Sequence, residues 1–234
     1  MRIQTHGENL IQLSMAYFPC NCYLVREADG FTLIDTAIYN AKGILAAAKQ
    51  YGTAIKRITL THAHTDHVGS LDALHTLLPD VEVSISARDA RFLRGDMSLD
   101  SGESQEKLRG GYVVCKTMPT RLLNAGDQVG SLEVVASPGH TPGHIAFFDR
   151  RDGTLIAGDA FSTQGGISTA GTLKLFFPLP AMATWSKSTG LHSAEALAAL
   201  KPTRLATGHG KVLDKLVPAM EQAIAEAKRS LGGA

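Results

Sequence analysis

The chain has 234 residues, 44% hydrophobic and 19% charged, enough to bury a sizeable core in one domain spanning 1–234 and too apolar for a disordered chain. Lys plus Arg number 23 against 22 Asp plus Glu, a net charge of +1, so no global field draws the protein onto nucleic acid and an anionic substrate has to be held locally. Every apolar stretch is broken well short of the ~20 residues of a membrane span, and the segment MRIQTHGENLIQL lacks a continuous apolar signal core; we expect a cytoplasmic protein with no membrane partner.

In chain order, IQLSMAY, CNCYLVRE and FTLIDTA read as a strand meander. Residues 41–50 have helical periodicity up to Gly52, RITLTHA is a strand, Gly69 to Leu78 is helical until Pro79, and VEVSISA is another strand. Residues 95–120, rich in Gly, Ser and charge, read as a long surface insertion. Strands resume with QVGSLEVVASPG, HIAFFDR and TLIAGDA; an irregular stretch, 161–190, precedes the helix SAEALAALK, the strand RLATGHG and a last helix from about Asp214 to Ser230. FTLIDTA and GTLIAGDA echo each other as apolar strands ending in Asp and a small residue. Cys20, Cys22 and Cys115, an odd number in a chain of this size, read as reduced, buried thiols.

Chemistry concentrates in THAHTDHVGS, between an apolar strand and a helical pattern. In extended backbone His62 and His64 share a face and can turn to one point, whereas Asp66 and His67, beyond the turn, can aim at a neighbouring point. Two adjacent metals fit this arrangement better than one. His140 in SPGHTPGH, Asp159 at the end of TLIAGDA and His209 between glycines in LATGHG each end an apolar strand, and a carboxylate there needs a partner or a metal. His144 reads as a hydrogen-bonding partner that orients a ligand.

This ordered set, His62-x-His64-x-Asp66-His67, His140, Asp159 and His209, resembles the motifs of the metallo-β-lactamase fold superfamily over residues 11–215, within its Asp-bridged, glyoxalase II-like and lactonase-like group. The resemblance implies an α/β fold, the αβ/βα four-layer sandwich of two mixed sheets with helices on both outer faces. It also implies two metal ions, zinc with iron or manganese as alternatives. His62, His64 and His140 match the ligands of the first, Asp66, His67 and His209 those of the second, and Asp159 the carboxylate shared by both. The implied activity is hydrolysis of an ester-type bond in a small molecule, a thioester or lactone, by a metal-bridging hydroxide, with Asp66 passing its proton on.

Two departures bear on the substrate. The chain ends one helix after His209, without the basic C-terminal helices by which glyoxalase II relatives hold glutathione, and Ser162 stands where quorum-quenching lactonases often carry Tyr. A phosphodiesterase or ribonuclease of the same fold is one alternative, set back by the lack of any Lys/Arg run. A non-catalytic metal-binding protein is another, although three-His ligation leaves an open position, unlike a closed structural zinc site. The apolar crowd in 161–190, with Ser162, Phe176, Phe177 and Trp185 as pocket candidates, is expected to wall the substrate or to serve as a homodimer interface.

Overall fold

Strands with both faces buried read as nearly unbroken apolar runs, and GFTLI, buried at every position, is one of them. The computed structural model describes residues 1–214 and 216–232. Its first sheet runs in sequence order: β1 (Arg2–His6), β2 (Leu10–Ser14), β3 (Asn21–Glu27), β4 (Gly30–Ile34), β5 (Ile55–Thr59), β6 (Glu82–Ser86) and β7 (Arg121–Leu123). The first four form an antiparallel meander; from β4 onward each neighbour is parallel. Parallel neighbours need crossovers, which are supplied by α1 (Ala41–Gln50), by α2 (Thr65–Val68) with α3 (Leu71–Leu77), and by α4 (Ala90–Leu93) with the irregular segment after it.

The second half supplies β8 (Gln128–Val129), β9 (Leu132–Ala136), β10 (Ile145–Asp149) and β11 (Thr154–Ile156), then the hairpin β12 (Phe161–Ser162) and β13 (Ser168–Thr169). After α5 (Leu179–Met182) and α6 (Lys187–Ala199) come β14 (Arg204–Ala206), β15 (Leu213–Asp214) and α7 (Val217–Gly232). The second sheet has the order β15-β14-β11-β10-β9-β8.

Side-chain alternation sorts the core into three bands. Tyr23, Val25 and Ile34 of the first sheet meet Val134, Phe147 and Ile156 of the second between the sheets. Leu24 and Leu33 face the other way, onto Ile44 and Ala47 of α1 and Leu74 of α3, while Phe148, Leu155 and Leu205 face Leu197 of α6 and Met220 of α7. The result is the expected helix, sheet, sheet, helix layering. The echo is real in topology as well: β3-β4-β5 and β10-β11-β14 each join an antiparallel pair to a parallel one, and β4 and β11 each run into a buried aspartate, Asp35 and Asp159.

Three expectations are corrected. The helix expected over 69–78 is shorter, α3 over Leu71–Leu77, with Gly69 and Ser70 separating it from the preceding turn α2. The last helix begins at Val217, because Asp214 is taken up by β15, where it pairs with Arg204 both in register and by a 2.9 Å ion pair. Residues 95–120 are more than a surface insertion: Cys115 is buried with its N–H on the Leu93 carbonyl, and Asp72 of α3 accepts the N–H groups of Lys116 and Thr117. All three cysteines are free and buried, and among the described residues no helix is long and apolar enough to cross a membrane.

Phe147 fills the space between the sheets with none of its surface exposed. Phe147→Ala is expected to lower the unfolding free energy by about 3–5 kcal/mol, read from denaturant titration.

Candidate metal centre

Four strand ends supply the site. His62 and His64 leave the end of β5, His140 follows β9, Asp159 sits in a 3-10 turn (Gly158–Ala160) directly after β11, and His209 follows β14. His64 stays extended (φ −69°, ψ 147°) in the N-cap position of α2, so Asp66 and His67 fall on the first helical turn.

His62 Nε2 lies 3.1 Å from His64 Nδ1, which lies 3.0 Å from His140 Nε2. The outward nitrogen of each ring is already committed. Thr61 Oγ1 donates to Asp35 Oδ2 (2.8 Å) and so accepts from His62 Nδ1–H (3.0 Å), and the Arg109 carbonyl accepts from His64 Nε2–H (3.0 Å). Thr184 Oγ1 donates to the Pro180 carbonyl (2.8 Å) and accepts from His140 Nδ1–H (3.1 Å). Three neutral rings therefore turn lone pairs toward one point, and burial keeps them neutral by holding His62 and His140 far below the usual imidazole range and His64 down to about 4. Ligand atoms roughly 2.0–2.1 Å from a tetrahedral centre stand about 3.3 Å apart, close to this spacing.

A second group lies beside the first. Asp66 Oδ2 is 3.3 Å from His209 Nε2 and 3.6 Å from His67 Nε2. His67 Nδ1–H donates to Asp35 Oδ2 (2.8 Å) and His209 Nδ1–H to the Pro19 carbonyl (2.6 Å), which leaves both Nε2 atoms toward the carboxylates. Asp159 joins the groups, with Oδ2 3.3 Å from His140 Nε2 and 3.2 Å from His209 Nε2, and Oδ1 3.6 Å from His67 Nε2. His67 Nε2 and Asp159 Oδ1 are buried without any hydrogen-bond partner, a costly state that a shared cation relieves. Burial disfavours charge on His67 and His209, yet the facing carboxylates override it and raise both, His209 to about 10; the same field attracts a metal cation.

The residues that hold the ligands in place were less visible in the sequence. Asp35, with φ +58°, accepts from Thr61 N–H, Thr61 Oγ1 and His67 Nδ1, so one carboxylate orients a ring in each group; its signal was the Asp-ended strand echo. Asp89 accepts from Ala63 N–H (3.0 Å), Thr141 Oγ1 (2.7 Å) and Gly143 N–H (2.7 Å), tying the two histidine loops together, and no sequence pattern marked it. His144 Nδ1 bonds to Ser137 Oγ, and its Nε2 accepts the Asp159 N–H at 3.1 Å, so this histidine positions the shared carboxylate. Gly110 (φ +85°) lets the 106–112 segment lie on the His64 ring, where a Cβ would come within 2.4 Å of Nε2.

A cavity of about 330 Å³ opens over the cluster, with Phe18, Leu179, Pro180 and Met182 as its apolar walls beside His64, Asp66, His140, Asp159 and His209. Three of the expected pocket residues lie elsewhere: Ser162 is buried against the His209 carbonyl, Phe176 is 93% exposed, and Trp185 is buried with its indole N–H on the Glu106 carbonyl (3.0 Å). Phe177 packs on the His209 ring (5.2 Å between centroids) without lining the cavity. The apolar wall does come from the 161–190 stretch, but through Leu179, Pro180 and Met182 of α5, joined by Phe18 of the loop before β3, because the residues directly after Asp159 first turn away as the β12–β13 hairpin.

Two stacked sheets with a buried His/Asp cluster at their strand ends define a metal-binding protein of αβ/βα architecture. The model of the metallo-beta-lactamase superfamily matches residues 16–209, and the chain belongs to that superfamily, as a hydrolase of its fold. It is 48% identical to the protein YobT of Bacillus subtilis over 98% of this chain and 100% of that one, and 32% identical to the probable metallo-hydrolase YflN of the same organism over 86% and 81%. Among solved structures, TTHA1623 in a di-iron-bound form superposes with a TM-score of 0.67 at 26% identity, covering 91% of this chain and 97% of that one.

Two outcomes follow from the supporting carboxylates. Asp35→Ala is expected to weaken metal affinity about 10- to 100-fold, measured by competition with a chromogenic chelator. Burial raises the Asp89 carboxyl to about 6, above the ordinary ~3.9, so its ionisation costs native stability as pH rises from about 4 to 6. The stability difference between wild type and Asp89→Asn should therefore fall by about 2–3 kcal/mol over that interval in urea titrations, and a constant difference would refute the assignment.

Proposed function

We propose that the protein is a dinuclear metallohydrolase that cleaves an ester-type carbonyl bond, a thioester or lactone, in a small molecule. The observation that carries this reading is the floor and wall of one cavity: two convergent His/Asp groups joined by Asp159 lie under an apolar wall that contains no Lys or Arg among the described residues. Phosphodiester substrates need cationic grip at the reacting group, whereas an acyl or lactone carbonyl needs an apolar, oriented berth. The likeness of THAHTDHVGS and SPGHTPGH to glyoxalase II-like and lactonase-like sequences supports the same choice.

His62, His64 and His140 would hold one ion, Asp66, His67 and His209 the other, and Asp159 both, zinc being the ion we favour for this imidazole-rich set and iron the alternative. When bound, the pair supplies Lewis acidity and lowers the pKa of water. The nucleophile is water, because no Ser, Thr or Cys lines the cavity and burial pushes the nearby Cys20 thiol up to about 12. Asp66 borders the cavity; burial favours its neutral form, but His67 and His209 hold it down at about 2. It is thus an ionised acceptor that can orient the attacking water by a hydrogen bond. Phe18, Leu179 and Met182 offer apolar surface beside the scissile bond.

On zinc-loaded protein, short acyl thioesters and lactones should be hydrolysed faster than bis(p-nitrophenyl) phosphate. The opposite preference would replace the carbonyl reading with a phosphodiesterase, and no turnover of any of them would leave a non-catalytic metal protein. Asp159→Ala should lower kcat/KM on the preferred substrate on the order of 100-fold or more with an unchanged far-ultraviolet dichroism spectrum, and full activity at normal metal content would overturn the assignment.

A further inference from the structure

A second cavity, of about 220 Å³, lies beside the first. Met182 lines both, and the segment that separates them is Arg109–Gly111: Arg109 borders the second cavity while Gly110 and Gly111 border the first. Its other boundaries include Glu106, Leu173, Trp185 and Lys187.

The two cavities differ in charge. Among the described residues the metal-side cavity has no Lys or Arg and the second has two, Arg109 and Lys187, neither of which forms an ion pair, although Arg88, Arg91 and Lys174 do. Both side chains are exposed, and the fold fixes where each is rooted. The Arg109 backbone is pinned by its carbonyl on His64 Nε2–H (3.0 Å), and the Lys187 stem runs over Gly171 (φ +81°), where a Cβ would come within 2.6 Å of Lys187 Cγ. Glu106, on the same rim, has Oε1 engaged by Ser104 Oγ (3.2 Å) and its carbonyl by the Trp185 indole (3.0 Å). Two cations against one anion leave a local charge of one, which matches a single carboxylate better than a phosphate dianion. An arginine fork and a lysine point charge are suited to hold it.

We propose that this cavity is the subsite for a carboxylate carried by the substrate, so that the preferred ester has its scissile carbonyl over the His/Asp cluster and an anionic end beyond Met182, against Arg109 and Lys187. This rests on the hydrolase reading for the reaction, but the binding of a carboxylate does not. It is consistent with a near-neutral chain, because the charge that would recognise the anion is local and set aside from the reacting bond.

Trp185, the one tryptophan of the chain, borders this cavity and reports on it directly. The experiment pairs S-acetyl-3-mercaptopropionate with its amide as substrates, and the thioether 3-(ethylthio)propionate with its amide as inert ligands, on zinc-loaded protein. Wild type should favour the carboxylate over the amide about tenfold in kcat/KM, through KM, and the Arg109→Ala/Lys187→Ala variant should bring that ratio to about one. Arg109→Glu/Lys187→Glu should invert it. The thioether carboxylate should shift Trp185 emission saturably in wild type and not in the charge-reversed variant, with its amide inert in both. Equal kcat/KM for the two thioesters in wild type, or a preference that survives the double variant, overturns the subsite. If neither thioester is turned over, the thioester form of the proposed function fails, and the fluorescence titration still decides the subsite: a saturable, charge-dependent shift upholds it and no shift overturns it.

Discussion

The constraint on which the rest of the structure depends is the burial of the Asp159 carboxylate among imidazoles. A buried anion is tolerated only where its charge is met, and here Oδ2 faces His140 and His209 and Oδ1 faces His67 at 3.2–3.6 Å, too far for strong hydrogen bonds and near enough for a common ligand. Those distances can be held only if three separate loops are fixed relative to one another. Much of the polar interior serves that end, with His144 on the Asp159 backbone, Asp35 across both ligand groups and Asp89 between the two histidine loops.

The fold makes this possible in backbone terms. Parallel strands bring β5, β11 and β14 to end at the same edge, so loops from both sheets face each other there. Glycines take up the crowding: a Cβ on Gly208 would lie 2.1 Å from Asp159 Oδ1, and one on Gly158 (φ +49°) 2.7 Å from His144 Nε2. Strain is concentrated at the same edge, where Asp35, Ala37 and Tyr39 all have positive φ without being glycine.

Above that edge the walls divide the chemistry of recognition. Apolar side chains from the loop before β3 and from α5 line the cavity over the His/Asp cluster, while Arg109 and Lys187, without ion pairs among the described residues, line the neighbouring one. In the proposed reading a near-neutral protein sets apolar contact and charge recognition in adjacent cavities, since Coulomb forces reach across several Å and apolar contact does not.

The sequence by itself marked the His/Asp cluster, and the family resemblance it carries implied the layering. His62, His64, Asp66 and His67 were legible because a period-two strand and a helical turn fix where neighbouring side chains go. His140, Asp159 and His209 were legible because each ends an apolar strand, where burial obliges a polar side chain to meet a partner or a metal. Tertiary structure alone decided what supports those side chains and which residues of 161–190 cover them. Asp89 is an ordinary acid in an ordinary turn until the chain brings Ala63, Thr141 and Gly143 to it, and residues 106–112 read as polar insertion until Gly110 lies on His64. Trp185 and Ser162, near the cluster in chain order, turn away from it, while Phe18, far off in sequence, lines it. Local periodicity specifies direction within an element; which loops meet above a site depends on long-range packing of the two sheets, and a one-dimensional pattern carries no record of it.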